Sequence, residues 1–172
     1  MATITVPQPL IEAVRFRLQD YPQLNALLDS VKLLTDVDIA RCIYNATMRF
    51  NATLPIISGL KMTPMHAYQD DGGVIRSCIE MLAEALGHGL IVTRLQKNEY
   101  QFQSGGVTGA RESVWRSIDQ TRQEREATAL RMISEIKMQL NQERCYGAVS
   151  SEYAYLFAQR VGFYSQGVVL QI

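Results

Sequence analysis

Histidine is nearly absent from this 172-residue sequence: His66 and His88 are the only two, and neither has a second His or a Cys three or four positions away. A helical zinc site needs that spacing, so no metal centre is expected. Cysteine is almost as scarce. Cys42, Cys78 and Cys145 form an odd, widely spaced set, which excludes a CxxC redox pair or zinc knuckle and makes a poor disulfide framework. Excess charge is missing too, with Lys+Arg and Asp+Glu balanced at 17 each. A protein that grips phosphates over a broad surface normally carries a basic excess, so nucleic-acid binding is not expected as the main role. No GxSxG elbow, P-loop or dinucleotide fingerprint occurs. Catalytic residues and cofactors are therefore expected to be none.

Long uninterrupted apolar runs are also lacking. The most apolar segment, about Val74 to Val92, is broken by Arg76, Glu80, Glu84 and His88. Each such charge is costly at a bilayer centre, so the segment reads as a buried helix and no membrane partner is expected. The residues Met1 to Pro7 show neither the basic nor the apolar region of a signal peptide, and synthesis in a reduced cytoplasm is the expectation.

What is present is globular in composition, with 47% hydrophobic and 20% charged residues. The pattern predicts a mainly α protein: one helical domain over 1–172, with extended arms at 1–7 and 163–172. Ala2 to Val6 alternates like a short strand, and Pro9 can sit in the first turn of a helix over Leu10 to Leu18. A short helix is plausible over Gln23 to Leu34. Thr35 or Asp36 offers an N-cap, and Ile39, Ile43, Ala46 and Phe50 follow at helical spacing up to Leu54-Pro55. From Ile56 to Tyr68 no period stands out, and the segment reads as an ordered connection.

Asp70-Asp71 then precedes Ile75, Cys78, Ile79, Leu82, Leu86 and Leu90. Gly87 and Gly89 within that helix suggest close approach of another backbone, with a break at Gly87-His88-Gly89 as the competing reading. Asn98 to Val107 alternates and is expected to form an extended loop or hairpin near 98–108. The longest helix is expected over about Arg111 to Asn141, with Val114, Ile118, Thr121, Thr128, Met132, Ile136 and Leu140 as its apolar stripe and Trp115, Ala129 and Ile133 beside it. Its middle, Gln120 to Glu126, is polar nearly all round, so it should project beyond the body or line a polar subunit interface. Gly167 to Ile172 is β-branched and should pair as a strand, in its own protein or on a neighbour's sheet edge.

The remaining candidates for chemistry have simpler explanations. Asp70-Asp71-Gly72-Gly73 lacks the alternating oxygen ligands of an EF-hand and reads as a helix-entry turn. Ser104-Gly105-Gly106 lacks the Lys-Ser/Thr of a phosphate loop. Arg111, Arg116, Arg122, Arg125 and Arg131 are interleaved with Glu112, Asp119, Glu124, Glu126 and Glu135, which nearly cancels their field and favours a solvated or subunit-facing surface. The alternative is a helical nucleic-acid-binding or regulatory protein that uses the arginines of a helix over 111–143.

Three stretches in order resemble the neck, or head-to-tail connector, proteins of bacteriophages with contractile tails. They are Asp36 to Ile43 running into Phe50-Asn51-Ala52-Thr53-Leu54-Pro55; the small-residue-rich Val74 to Arg94 followed by Ser104-Gly105-Gly106-Val107; and Leu140 to Gly147 with Ser150-Ser151-Glu152-Tyr153 after it. One proline stands at Leu54-Pro55 where the family has a pair, and Gln103-Ser104 precedes the glycines of its Ser-Asp-Gly-Gly-like loop. The resemblance implies a virion protein made in the host cytoplasm that forms a homo-oligomeric ring of twelve copies. Its partners would be the portal protein and the tail terminator or other neck proteins, with DNA only as cargo in the channel. The expected interface residues are Tyr100, Phe102, Ser104, Gly105, Gly106 and Val107, reaching an adjacent ring; Arg122 and Arg125; and Phe163, Tyr164, Val168, Val169, Leu170 and Ile172, docking on a neighbour.

Overall fold

A computed structural model describes residues 3–20, 33–53, 62–70, 73–102, 109–146 and 167–171. The chain is mainly α. In order the elements are β1 (Thr3–Pro7), α1 (Gln8–Leu18), α2 (Asp36–Thr53), α3 (Pro64–Gln69), α4 (Val74–Phe102), α5 (Gly109–Tyr146) and β2 (Gly167–Gln171). Helix α4 is central and packs against α5, α2, α1 and α3. Ile75, Cys78, Ile79, Leu82, Ala83, Ala85 and Ile91 are all buried along it. Burial on several sides at once is why its sequence is the most apolar in the chain.

Each helix boundary has a local cause. Pro9 lies in the first turn of α1, where a missing N–H is harmless, and Gln19 ends the helix in the left-handed region at φ 53°. Leu10, Ile11, Val14 and Leu18 then face the core. At α2, Thr35 Oγ1 accepts from Asp38 N–H at 3.2 Å while Asp38 Oδ2 accepts from Thr35 N–H at 2.9 Å. This is a capping box with Asp in the reciprocal position. Ile39, Ile43, Ala46 and Phe50 are fully buried, as their spacing predicts.

Two expectations for the connections are corrected. The segment 56–68 is not only a connection, because α3 begins at Pro64. Thr63 caps it, and His66 Nδ1 accepts from Thr63 N–H at 3.2 Å. A one-and-a-half-turn helix is too short to show a period, although Thr63-Pro64-x-His66 is a start signal in itself. Asn51 anchors this entry, donating from Nδ2 to Met62 O at 2.8 Å and accepting Met62 N–H at 2.9 Å.

The extended loop expected near 98–108 is also corrected, since α4 is helical through Phe102. Five alternating residues are too few to outweigh the good helix formers Leu95 to Lys97 and an established helix behind them. Residues 103–108 lie outside the described residues, as does most of the helix expected over Gln23 to Leu34.

The two glycines of α4 do not break it. A Cβ on Gly87 would fall 2.8 Å from Leu18 Cδ1 and 2.9 Å from Cδ2, so glycine there admits α1 closely. At the helix entry, a Cβ on Gly73 would fall 1.9 Å from Asp70 Oδ1. Asp70 Oδ2 in turn accepts Arg76 N–H at 3.0 Å, giving the helix-entry turn the expected form.

Helix α5 runs antiparallel to α4, with Arg125 beside Glu84 and Arg122 beside Gly89. It has 38 residues and α4 has 29, lengths of about 57 Å and 44 Å at 1.5 Å per residue. Among the residues whose burial is described, Ala129, Ile133 and Ile136 are buried on α5, with Ile118 and Met132 packed against the same core. Burial is thus centred on the edge of the expected stripe where Ala129 and Ile133 lie. β1 and β2 pair antiparallel, from Thr3 opposite Gln171 to Pro7 opposite Gly167, and the ribbon packs on α1, α2 and α3. Of the two partners open to the C-terminal strand, the fold uses its own chain.

Candidate functional site

The densest polar constellation among the described residues is a seam where α1, α4 and α5 meet. Arg76, Glu80, Glu84 and His88 stand four residues apart on α4 and so stack along one face. Arg76 Nε donates to Glu80 Oε1 at 2.8 Å, and Arg17 Nε from α1 donates to Glu80 Oε2 at 2.9 Å. One turn on, Arg125 Nε from α5 lies 3.1 Å from Glu84 Oε1, with His88 Nε2 at 3.7 Å and Arg17 Nη1 3.9 Å from Glu84 Oε2. The Glu84 side chain is only 3% exposed, and its Oε2 has no hydrogen-bond partner.

Because α4 is buried on several sides, its carboxylates face protein and need cations brought from other helices. Chemically the seam is a clamp. Guanidinium groups occupy three of the four carboxylate oxygens, and the fourth is buried away from solvent.

A second buried network locks the chain between α1 and α2. Arg15 is fully buried; its Nη1 donates to Asp20 Oδ2 at 2.8 Å and Leu34 O at 3.0 Å, and its Nη2 to Asp36 Oδ1 at 2.6 Å. Asp20 also accepts the N–H groups of Leu33 at 2.7 Å and Leu34 at 2.9 Å. Arg15 Nε has no partner. A third tie joins Arg94 of α4 to Asp38 at 2.9 Å and to Leu33 O. Burial alone would raise the Asp38 carboxyl, but the Thr35 hydrogen bonds and the Arg94 guanidinium together hold it below its ordinary value.

Arg122 and Arg125, expected at an interface, have partners within the chain. Arg122 Nε donates to Asp119 Oδ1 at 2.7 Å and Nη1 lies 3.6 Å from Glu126 Oε2, while Arg125 reaches Glu84. Glu126 also pairs with Arg49 of α2. Within the chain, Arg125 and Glu126 thus tie the polar stretch Gln120 to Glu126 to α4 and α2, while Gln120, Gln123 and Glu124 are exposed.

Tyr100 and Phe102 lie in the last turn of α4. Val168, Val169 and Leu170 stand opposite Val6, Thr5 and Ile4 in the ribbon. Ser104, Gly105, Gly106, Val107, Phe163, Tyr164 and Ile172 lie outside the described residues. Sequence reasoning noticed the four seam residues on α4 only as interruptions of an apolar run; their spacing of four was the signal that they form one face. Comparison with known proteins gives no match, whether against protein-family models, curated proteins or solved structures.

Proposed function

We propose that this chain is a virion structural protein that forms a ring in the neck of a contractile-tailed bacteriophage, joining the portal and capsid to the tail around a channel for the genome. The order of the three motif stretches is what names the family. The physical observation that carries the architectural part is the α4–α5 hairpin. Helix α4 runs 29 residues from Val74 to Phe102 and α5 runs 38 from Gly109 to Tyr146, about 44 Å and 57 Å. A helix pair of this kind is suited to bridging between subunits.

The finer expectation belongs to this proposal as well: a helical bundle whose extended arms and 103–108 segment make contacts between copies and with adjacent neck proteins.

The competing reading, nucleic-acid binding or regulation through the arginines of α5, is disfavoured because Arg122 and Arg125 are paired with Asp119, Glu126 and Glu84. Light scattering on the purified full-length chain, followed by electron microscopy, tests the proposal. A single defined mass of many copies and ring images are expected; a stable single copy across the accessible concentration range would overturn it. DNA retention that falls steeply with salt would point to the competing reading.

A further inference from the structure

The β1–β2 ribbon has two outer edges, and among the described residues no third strand joins either of them. In an antiparallel pair, alternate residues turn their N–H and C=O groups away from the partner strand, so each edge presents a row of backbone groups. Proteins usually blunt such an edge with a charge, an internal proline or a bulge. Here neither Thr3–Pro7 nor Gly167–Gln171 contains Asp, Glu, Lys or Arg, Pro7 is the final residue of β1, and β2 has no proline. The register runs residue against residue with no skipped position, so no bulge turns an edge aside. The ribbon also packs on three helices with Val6 buried, which holds both edges in a fixed direction.

We propose that the outer edge of β1 pairs with the outer edge of β2 from a second copy of this chain. The two edges match in length and are both uncharged, so neither repels the other. They are also different surfaces. A contact between unlike edges is heterologous: every copy offers one and receives one, and a repeated rotation closes a ring. Pairing β1 with β1 would stop at two copies and leave the β2 edge bare. This inference rests on the ring reading above and names the contact that builds the ring.

Deleting β2 would also strip β1 of its partner within the chain, so proline scanning is the sharper test. Thr5 faces Val169 and Ile4 faces Leu170; one of these opposed pairs directs its N–H groups inward and the other outward. The four variants Thr5→Pro, Val169→Pro, Ile4→Pro and Leu170→Pro are melted and weighed by light scattering. Variants of the inward pair should lose melting temperature. Variants of the outward pair should melt near wild type but fall from the ring to single copies. An outward β1 variant keeps its β2 edge, and its β2 counterpart keeps its β1 edge. Mixed in equal amounts, these two should form a two-copy species, a doubling of mass that neither gives alone.

Amide exchange on the wild-type ring needs no variant: both the inward and the outward N–H groups of β1 should be slow. Fast outward amides, or full rings from an outward-pair variant that melts normally, would overturn this contact while leaving the ring reading intact. A wild-type chain found only as single copies would remove both.

Discussion

Replacing Arg15 by methionine is the most demanding test of the interior. The substitution keeps most of the buried volume and removes a guanidinium that reaches Asp20, Asp36 and the carbonyl of Leu34. The Asp20 side chain is fully buried. It would keep the N–H groups of Leu33 and Leu34 but lose the Arg15 guanidinium at 2.8 Å. Breaking a buried ion pair from one side costs roughly 3–5 kcal/mol. For a domain of this size each kcal/mol moves the melting temperature by about 2–4 °C, so the expected drop is roughly 6–20 °C.

Thermal and urea unfolding followed by circular dichroism would measure it. The double variant Arg15→Met/Asp20→Asn supplies the control. An amide at position 20 carries no charge and still offers an oxygen to Leu33 or Leu34. The double variant should therefore be more stable than the sum of the two single losses predicts. Arg15→Met melting within about 1 kcal/mol of wild type would refute the reasoning, because taking a buried guanidinium away from Asp20, Asp36 and the Leu34 carbonyl together cannot be that cheap.

Gly87→Ala should destabilise by about 1–2 kcal/mol in urea titrations, since overpacking against Leu18 outweighs the gain of roughly 1 kcal/mol in helix propensity; adding Leu18→Ala should remove the clash and leave the propensity gain visible. Burial pushes the thiols of Cys42 and Cys78 up to about 12, so a thiol reagent at pH 8 should modify neither until the chain unfolds, and prompt labelling of either in the native state would contradict the packing. The Asp38 carboxyl is held below its ordinary value, so its contribution is fully present above the unfolded pKa and is lost as pH falls through the folded one. Asp38→Asn should accordingly flatten the fall in stability below about pH 4, and an unchanged acid slope would count against the Thr35–Asp38–Arg94 arrangement.

Helix periodicity made much of the interior legible. Ile39, Ile43, Ala46 and Phe50 were readable because α2 buries a single stripe, and Ile75, Cys78, Ile79 and Leu82 because α4 is apolar over more than one face. The same reasoning loses accuracy where burial fades. Leu90 continues the α4 period but is exposed, and on α5 Thr128 and Met132 of the expected stripe are less buried than Ala129 and Ile133 beside it. Helix α3 has too few turns to show any period. The seam was illegible for a different reason: Glu80 and Glu84 belong with Arg17 and Arg125, which lie far away in sequence. Charges scored one helix at a time look solvated, and only the packing of three helices shows which of them are paired.

That pairing bears on how α5 can be so long and so polar and still hold one position. Among the residues whose burial is described, apolar contact fixes α5 through Ala129, Ile133 and Ile136, with Ile118, Leu130 and Met132 packed against the same core. Hydrophobic burial is non-directional, so such contact leaves a neighbouring register, one turn away, close in energy. The ion pairs do not. Sliding α5 by one turn, about 5.4 Å, would carry Arg125 away from Glu84 and Glu126 away from Arg49, leaving the buried Glu84 without that cation. Taking a cation from a buried carboxylate is costly, so the ion pairs favour the observed register over its neighbours. The clamp near the middle of α5 therefore helps set where the ends of that helix stand relative to the core.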